Sequence, residues 1–330
     1  MTAGGDVPIV NPAAVATAPS GGAQQGVPRG GRVRRLSGSD RLVVLLMVSV
    51  PLVLTMMFVV LPALASVVLS FSNWDGIGGL STIKWVGWKN YHDIATIYPP
   101  FWPAIQHNVL WLAVLFLLAT PLGMFLAVLL DKEIKGSRIY QTPIYLPVVL
   151  SLALIGFIWQ LQYSRDFGLI NAMLQGAGLQ EPESAVDWYG DPNISIWAVL
   201  AAAAWRHVGY IMLLYLAGLK GFDPTLREAA AVDGAGEVKT FFRIVFPVLR
   251  PINIIIVVIT VIESLRAFDL VWIVNRGRNG LELISALVTS NVVGEASRIG
   301  FGSALATIML VISLVFIVIY LWTIFSEEEA

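Results

Sequence analysis

The stretch Glu228-Ala-Ala-Ala-Val-Asp-Gly-Ala235 decides the interpretation of this chain, because it is a patterned segment in a charged loop between two long apolar segments. Asp223 and Pro224 precede it, and an aspartate followed by a proline is typical of the N-cap and first residue of a helix. Gly234 or Gly236 can adopt the left-handed conformation that ends a helix. The loop is therefore predicted to contain a helix of about three turns, and such order suggests a docking element.

The predicted helix has a small, flat face. Leu226, Ala229, Ala230 and Asp233 recur at i, i+3, i+4 and i+7, and the alanines permit close approach of another backbone. A following apolar segment, residues 241–246, has enough large side chains to seat the loop against neighbouring helices. These residues alone leave two interpretations open, an amphipathic helix lying on a membrane surface and a docking element for a partner protein.

Composition places the chain in a membrane. Of its 330 residues, 57% are hydrophobic and 13% are charged, and the mean hydropathy is +0.75, which is too apolar for a soluble globule. The chain has no Cys and three scattered His residues, so we expect neither thiol catalysis nor a metal site. A net charge of -1 without a long basic cluster gives no sign of nucleic-acid binding. We expect an all-α integral membrane protein with no catalytic residues.

Six apolar segments are each long enough to cross a bilayer, for which about 20 residues suffice. The predicted spans lie near residues 42–70, 105–130, 139–163, 194–219, 248–274 and 301–325. The remaining parts are predicted to be a disordered tail over residues 1–38 and a short acidic tail over residues 327–330, on either side of a transmembrane domain at 39–326. The patterned loop occupies residues 223–247 of that domain.

The orientation follows from the lysines and arginines near the spans. The loops on the side of the N-terminus and of Glu228 contain 13 Lys and Arg residues, whereas the opposite loops contain 6. The positive-inside rule therefore predicts that both termini and the patterned loop are cytoplasmic.

Span five contains Glu263, Arg266 and Asp269, and charges at membrane depth are costly unless they pair or face water. Their spacing allows Arg266 to pair with either acid along one helix face. An internal ion-pair ladder is favoured over direct contact with a solute. In the alternative, Glu263 or Asp269 accepts hydrogen bonds from solute hydroxyls while Trp272 offers its ring face.

Other polar residues could extend such a pathway. Arg206 and His207 in span four could complete this solute-binding network or lie near an interface. Near the outer end of span three, Trp159, Gln160 and Gln162 are polar enough to line a pathway. We rank all of these below the patterned loop as functional residues.

The patterned loop resembles the EAA loop of the permease subunits of bacterial ABC importers, in Glu228-Ala-Ala, Asp233-Gly-Ala235, Phe241, Ile244, Pro247 and Pro251. Residues from about 42 to 325 are similar to the sugar-uptake branch, the family of the maltose and glycerol-phosphate permeases. The motifs that carry this similarity include Ser70-Phe-Ser-Asn-Trp-Asp-Gly76, Val86-Gly-Trp-Lys-Asn-Tyr91, Leu146-Pro-Val-Val-Leu-Ser151, Gly168-Leu-Ile-Asn171 and Leu216-Ala-Gly-Leu219.

The resemblance implies a type I ABC importer permease of the bacterial inner membrane, with six transmembrane helices and a cytoplasmic coupling helix. It implies that Glu228 faces a basic residue of a separate ATPase subunit and that Gly234 makes the bend. The implied partners are an ATPase dimer, a second related permease, an extracellular solute-binding protein and membrane lipid. ATP and Mg²⁺ are expected on the ATPase, because this chain has no Walker motif and no cofactor of its own. The implied coupling residues are Glu228, Ala229, Ala230, Asp233, Gly234, Ala235, Phe241 and Pro247.

Other functions stay open. The solute could be a polyol, glycerol phosphate or another small polar molecule instead of a sugar, although the acids of span five argue against an anion. A proton-driven secondary transporter with Glu263 and Asp269 as the relay is a further alternative, but its expected inverted repeats with interrupted helices are not evident in the sequence. The segment Val274-Asn-Arg-Gly-Arg-Asn-Gly280 departs from the Gly-Gly-Pro pattern of many relatives, which affects the outer gate and the contact with the binding protein.

Overall fold

The computed structural model describes residues 37–77, 79–132, 137–294 and 297–328. The chain forms two compact units, Met1–Phe58 and Val59–Ala330. In the first unit, helix α1 (Gly38–Thr55) has no buried residue and begins where the Asp40 carboxylate accepts a hydrogen bond from the Ser37 N–H. Of the tail predicted over residues 1–38, residues 1–36 lie outside the described part of the chain.

Helices joined by loops of different lengths make up the second unit, and no β-strand occurs among the described residues. Some helices contain a π-helical turn. In chain order they are α2 (Leu61–Leu69), α3 (Lys89–Thr96), α4 (Phe101–Asp131), α5 (Ser137–Val149), α6 (Leu152–Gln162), α7 (Leu169–Gly176), α8 (Ser195–Lys220), α9 (Pro224–Val232), α10 (Glu237–Val248), α11 (Arg250–Leu265), α12 (Asp269–Asn275), α13 (Ile284–Val292) and α14 (Ile299–Glu328). Helix α14 thus includes the first two residues of the predicted acidic tail.

The apolar helices match the positions of the predicted spans. By length and composition, four described helices can cross a membrane, namely Gly38–Leu69, Phe101–Asp131, Ser195–Lys220 and Ile299–Tyr320. Two bent helix pairs bring the number to six if each pair is counted as one span.

The first bent pair replaces the continuous helix expected over residues 139–163. Helices α5 and α6 meet at 108°. Pro143 and Pro147 each remove a backbone donor from α5, and the Ser151 hydroxyl then accepts a hydrogen bond from the Leu154 N–H, which caps the start of α6. A proline-weakened helix followed by a serine cap provides a local reason for the bend.

The predicted fifth span is interrupted twice. It turns by 75° at Leu249, between Pro247 and Pro251, and its helix stops again at residues 266–268 before α12 begins. A continuous span was expected over residues 248–274, and the structure corrects this expectation. Hydrogen bonds from distant side chains support the second break.

Helix α8 is the central element of the second unit. One apolar cluster surrounds the first half of α8 and includes Leu200 and Val199, whereas another surrounds its second half and includes Ile211 and Met212. Helix α4 packs closely along α8, because a Cβ at Gly123 would lie only 2.8 Å from the Ile211 Cβ. Small residues at such positions let helix backbones approach each other.

Candidate docking helix and polar cavity

The short helix α9 has a defined start and a defined end. The Asp223 carboxylate accepts a hydrogen bond from the Thr225 N–H at 2.9 Å, and Pro224 is the first helical residue. At the other end, the Gly234 N–H donates to the Ala231 carbonyl and the Ala235 N–H donates to the Ala230 carbonyl. Gly234 has a φ of 74°, so these bonds form a Schellman motif. Of the two predicted stop residues, Gly234 is therefore the correct one.

The hydrogen bonds from Thr225 lower the pKa of Asp223, because they stabilise its ionised form. The folded pKa lies below the ordinary value, so the cap stabilises α9 at pH values above the unfolded pKa. That contribution is lost as the pH falls through the lowered pKa of the folded state.

Helix α9 is seated on the rest of the chain by one arginine and one alanine. The Arg227 Nη1 atom lies 2.8 Å from the Asp131 Oδ2 atom at the end of α4, and its guanidinium lies 5.2 Å from the centre of the Phe222 ring. Ala230 is 4% exposed on the same side of the helix. The sequence analysis used Arg227 only for orientation and missed this contact, which links a residue pair 96 positions apart.

Helix α10 forms a second attachment. Lys132 forms an ion pair with Glu237, which lowers the pKa of that carboxyl group. Val245 is buried in the cluster around the second half of α8, and Phe241 packs against the same cluster. The prediction that residues 241–246 seat the loop is therefore correct for these two side chains, whereas Phe242 is 59% exposed.

One side of α9 is exposed in the part of the chain that the structure describes. Glu228 and Ala229 are exposed, and Val232 is 88% exposed. The expected flat face was partly wrong, because Ala230 points to the interior while Ala229 points away from it. Asp233 and Pro247 are exposed as well. Some of the predicted coupling residues are therefore exposed, whereas others are packed against the rest of the chain.

A polar cavity lies at the second break of the fifth predicted span. It encloses about 200 Å³ and is bounded by Arg206, Glu263, Arg266 and Asp269. Apolar walls come from Trp111 and its neighbours. Three predicted pathway residues are thus brought to one place.

The charges in this cavity pair across helices and not along one helix. Glu263 lies 3.2 Å from the Arg206 Nη1 atom and 3.2 Å from the His207 Nδ1 atom. The expected ladder through Arg266 was therefore wrong. Arg206 and His207 pair with Glu263 instead, and their part in a solute-binding network stays a prediction. The side chains of Arg266 and Asp269 are exposed and have no polar partner among the described residues.

His207 is 1% exposed and ties three helices together. Its Nε2 atom lies 3.2 Å from the Thr260 hydroxyl of α11 and 3.4 Å from the Thr120 hydroxyl of α4. Each hydroxyl is also within hydrogen-bond distance of a backbone carbonyl of its own helix, so the histidine ring links α8 to both helices. This arrangement commits Glu263 to its protein partners and leaves Arg266 and Asp269 as the cavity's free charged groups.

The break beside the cavity is supported by side chains from two other helices. The Asn108 amide donates to the Ser264 carbonyl at 3.1 Å and accepts from the Ile284 N–H at 3.1 Å. The Ser285 hydroxyl donates to the Ala267 carbonyl. These bonds satisfy carbonyls that the interrupted helix leaves free, which is the condition for a break at membrane depth. Sequence reasoning missed Asn108 because its partners are 156 and 176 residues away.

The other predicted pathway residues lie elsewhere. Trp272 stacks on Phe268 with ring centres 5.2 Å apart and lines a second cavity at the end of α12. Trp159 packs in an aromatic cluster with Trp205 and Tyr163, and neither it nor Gln160 borders the polar cavity.

Comparison with known proteins connects this geometry to a family. Residues 119–326 match the model of the binding-protein-dependent transport system inner membrane component. The chain belongs to this family. A probable ABC transporter permease of Pyrococcus horikoshii is 31% identical over 84% of this chain and 94% of that protein. The xylose/arabinose import permease of Haloferax volcanii is 32% identical over 77% of this chain and 79% of that protein.

A solved structure shares the fold. A bacterial alginate ABC transporter, in complex with an alginate pentasaccharide-bound periplasmic protein, aligns with a TM-score of 0.71 over 85% of this chain and 93% of that chain. The two are 20% identical, so this likeness concerns the fold alone. Family membership confirms the resemblance predicted from the EAA loop and makes the chain a membrane transport subunit of the ABC importer permease type.

Proposed function

We propose that this chain forms half of the translocation pathway of an ATP-driven carbohydrate importer. Its relatives include a xylose/arabinose permease, and its fold is that of an alginate transporter subunit. A second related permease would supply the other half, an ATPase dimer would bind ATP and Mg²⁺, and an extracellular binding protein would deliver the solute. This chain itself would bind and move the solute without transforming it.

The coupling role rests on one observation, the exposed side of a helix that is otherwise capped and seated. Helix α9 is tied to α4 through Arg227 and Asp131, so a push on its free side reaches the helix packed along α8. Glu228 stands on that free side beside Ala229 and Val232. We propose that this surface enters a cleft on the ATPase, where Glu228 meets a basic residue.

The orientation and span count belong to the same proposal. Counting each bent pair as one span gives six crossings, and the excess of 13 over 6 basic residues assigns α9 and both termini to the cytoplasm. This assignment places the proposed coupling surface where ATP is available.

The polar cavity is the proposed solute pathway. A sugar presents hydroxyl groups that both donate and accept hydrogen bonds, together with apolar ring faces. Arg266 offers donors, Asp269 offers acceptors, and Trp111 gives an apolar wall. Glu263 is paired with Arg206 and His207, so we assign it a structural part in this site and no direct contact with the sugar.

Two other functions are less well supported. A polyol or glycerol phosphate could use the same donors and acceptors, and direct binding to the partner receptor would distinguish it from a sugar. A proton-driven secondary transporter has the family membership against it. Its test is whether uptake needs ATP or a proton gradient.

Co-purification tests the coupling proposal. The tagged chain, extracted from its native cells in mild detergent, is expected to carry an ATPase subunit, and Glu228→Arg is expected to reduce that amount at least tenfold because it places like charges in the cleft. Asp166→Arg is the matched control, since Asp166 is an exposed acid with no polar side-chain contact among the described residues.

The outcomes separate the alternatives. Loss of the ATPase in Glu228→Arg but not in Asp166→Arg supports docking through α9. Equal loss in both variants contradicts a specific dock, and a well-folded wild-type chain that carries no ATPase contradicts the importer assignment.

A further inference from the structure

The segment between α2 and α3, which neither the docking helix nor the polar cavity uses, is fixed against the start of α14. The Gly300 N–H donates to the Trp74 carbonyl at 2.9 Å. A Cβ at Gly300 would overlap the Ser72 carbonyl oxygen, so only glycine permits this approach. The Asn90 side-chain amide donates to the carbonyls of Ser70 and Ser72 at 2.8 and 2.7 Å. These bonds hold Trp74 and Asn90 in place through the backbone.

A cavity lies beside these contacts, and we call it the tryptophan cavity. It encloses about 340 Å³. That volume falls in the range of about 300–1,000 Å³ that is typical of small-molecule sites. The residues around it include Asn73, Trp74, Asn90, Asp93, Tyr98 and Phe301. The tryptophan cavity shares no lining residue with the polar cavity, so the two are separate sites.

Two polar atoms beside the tryptophan cavity have no partner among the described residues. Asn90 is 7% exposed, and both hydrogens of its side-chain amide are used by the Ser70 and Ser72 carbonyls. Its side-chain oxygen accepts no hydrogen bond from a described residue. The Trp74 Nε1–H is buried and likewise has no acceptor there. A buried polar group without a partner costs about 1–3 kcal/mol, so this pair favours a bound group that supplies both bonds.

One free acceptor and one free donor match the chemistry of a hydroxyl group. A hydroxyl donates one hydrogen bond and accepts others, whereas an ionised carboxylate only accepts and an ammonium group only donates. A water molecule has the same capacity, but its share of liquid volume is about 30 Å³, which is far below the volume of this cavity. A ring that carries several hydroxyls fills the space better.

The rest of the cavity wall suits such a ring. The Asp93 carboxylate, which is paired with Lys89, adds acceptor oxygens. Tyr98 and Phe301 form an aromatic wall with ring centres 5.2 Å apart. The Arg298 guanidinium lies 4.7 Å from the centre of the Phe301 ring and fixes that wall. Polar groups for hydroxyls beside an apolar wall for C–H groups are the features that a carbohydrate requires.

We propose that the tryptophan cavity is a second carbohydrate site, in which a sugar hydroxyl donates to the Asn90 side-chain oxygen and accepts from the Trp74 Nε1–H. Because the Nε1 atom is covered in this structure, the indole must rotate slightly to reach the ligand. The inference rests on the proposed function, which supplies the ligand class and assigns the segment between α2 and α4 to the outside. A sugar held here would be bound before it enters the polar cavity.

The experiment places one fluorescent probe at the cavity. The chain has no Cys, so Ile97→Cys, at a lining position that is 67% exposed, gives it a single labelling site for an environment-sensitive fluorophore. The assembled transporter in lipid nanodiscs is titrated with D-xylose, L-arabinose, trehalose and maltose, and with glycine betaine as a solute without hydroxyl groups. We expect a saturable change with at least one sugar and none with glycine betaine. An assembly with the unsubstituted chain, treated with the same fluorophore, gives the background.

Trp74→Phe is the decisive variant. It removes the Nε1 donor, keeps an aromatic ring and breaks no side-chain hydrogen bond among the described residues. We expect the dissociation constant for the sugar to rise about two- to tenfold, as for the loss of one neutral hydrogen bond, with an unchanged thermal midpoint. Trp88→Phe is the matched control, because Trp88 is 71% exposed in the same segment and does not border the cavity. It should bind sugar as the labelled parent does.

A further variant separates the two cavities. Asp269→Ala alters the polar cavity and should leave the signal at position 97 unchanged. Loss of the signal in Asp269→Ala would assign it to the polar cavity and overturn the inference. An unchanged constant in Trp74→Phe, or an equal rise in Trp88→Phe, would overturn it as well. Absence of a saturable response to all four sugars would show that the tryptophan cavity holds water only. A wild-type chain that carries no ATPase is a different result, because it refutes the proposed function itself.

Discussion

Replacement of Gly234 by alanine tests the reasoning about the docking helix. Gly234 has a φ of 74°, and no atom lies within 4 Å of a Cβ built there. The cost is therefore one of backbone conformation alone, about 1–2 kcal/mol for an L-residue in the left-handed region. That cost corresponds to a factor of about 5–30 in the equilibrium between the formed and the opened end of α9.

The matched control is Gly236→Ala, two residues away. Gly236 also has open space around its Cβ position, but its φ is -68°, which any residue adopts. Alanine there is expected to leave the helix end unchanged or to stabilise it by about 0.4–1 kcal/mol, because it restricts the unfolded chain.

Amide hydrogen exchange in lipid nanodiscs measures the difference. The Ala235 N–H donates to the Ala230 carbonyl at 2.9 Å in the Schellman motif, so its protection reports on the end of α9. We expect protection to fall about 5- to 30-fold in Gly234→Ala, to recover in part in Gly234→Asn, and to persist in Gly236→Ala. Equal protection in the Gly234→Ala and Gly236→Ala proteins would refute the assignment of Gly234 as the stop residue.

Two further perturbations address the seat of α9 and the polar cavity. Arg227→Ala removes the contact with Asp131 and should lower ATPase association severalfold. Thermal stability should change little, because the ion pair is partly exposed. An unchanged association constant would show that this ion pair does not contribute to coupling. Glu263→Ala leaves His207 and Arg206 without their acidic partner and should destabilise the solubilised protein by about 2–3 kcal/mol. Asp269→Ala should change stability by less than about 0.5 kcal/mol. Equal effects of the two variants in chemical denaturation would contradict the cross-helix pairing.

Features that depend on neighbours in sequence were predictable. The cap at Asp223, the proline after it and the left-handed glycine act within a few residues, so the pattern of residue types is sufficient to predict a helix there. The apolar segments were likewise predictable, because a membrane helix needs only a run of about 20 apolar residues. The identity of the stop residue needed the backbone, since Gly234 and Gly236 are equally permissive as residue types.

Features that depend on distant partners were not predictable. Glu263, Arg266 and Asp269 lie three residues apart and looked like a ladder along one helix. In the fold, Glu263 pairs instead with Arg206 and His207 on α8, which are more than 50 residues away in the sequence. No proline marks the break beside them in the sequence. The carbonyls at the break accept hydrogen bonds from Asn108 and Ser285, which belong to other helices.

The sequence by itself determined that this protein is a membrane transport subunit with a patterned loop between two apolar segments, since hydropathy, caps and the EAA motif are properties of adjacent residues. Only the tertiary structure decided which side of α9 is exposed and which charges are committed to each other. The physical reason is that side-chain orientation and charge pairing are set by what packs alongside, and the packing partners come from remote parts of the chain.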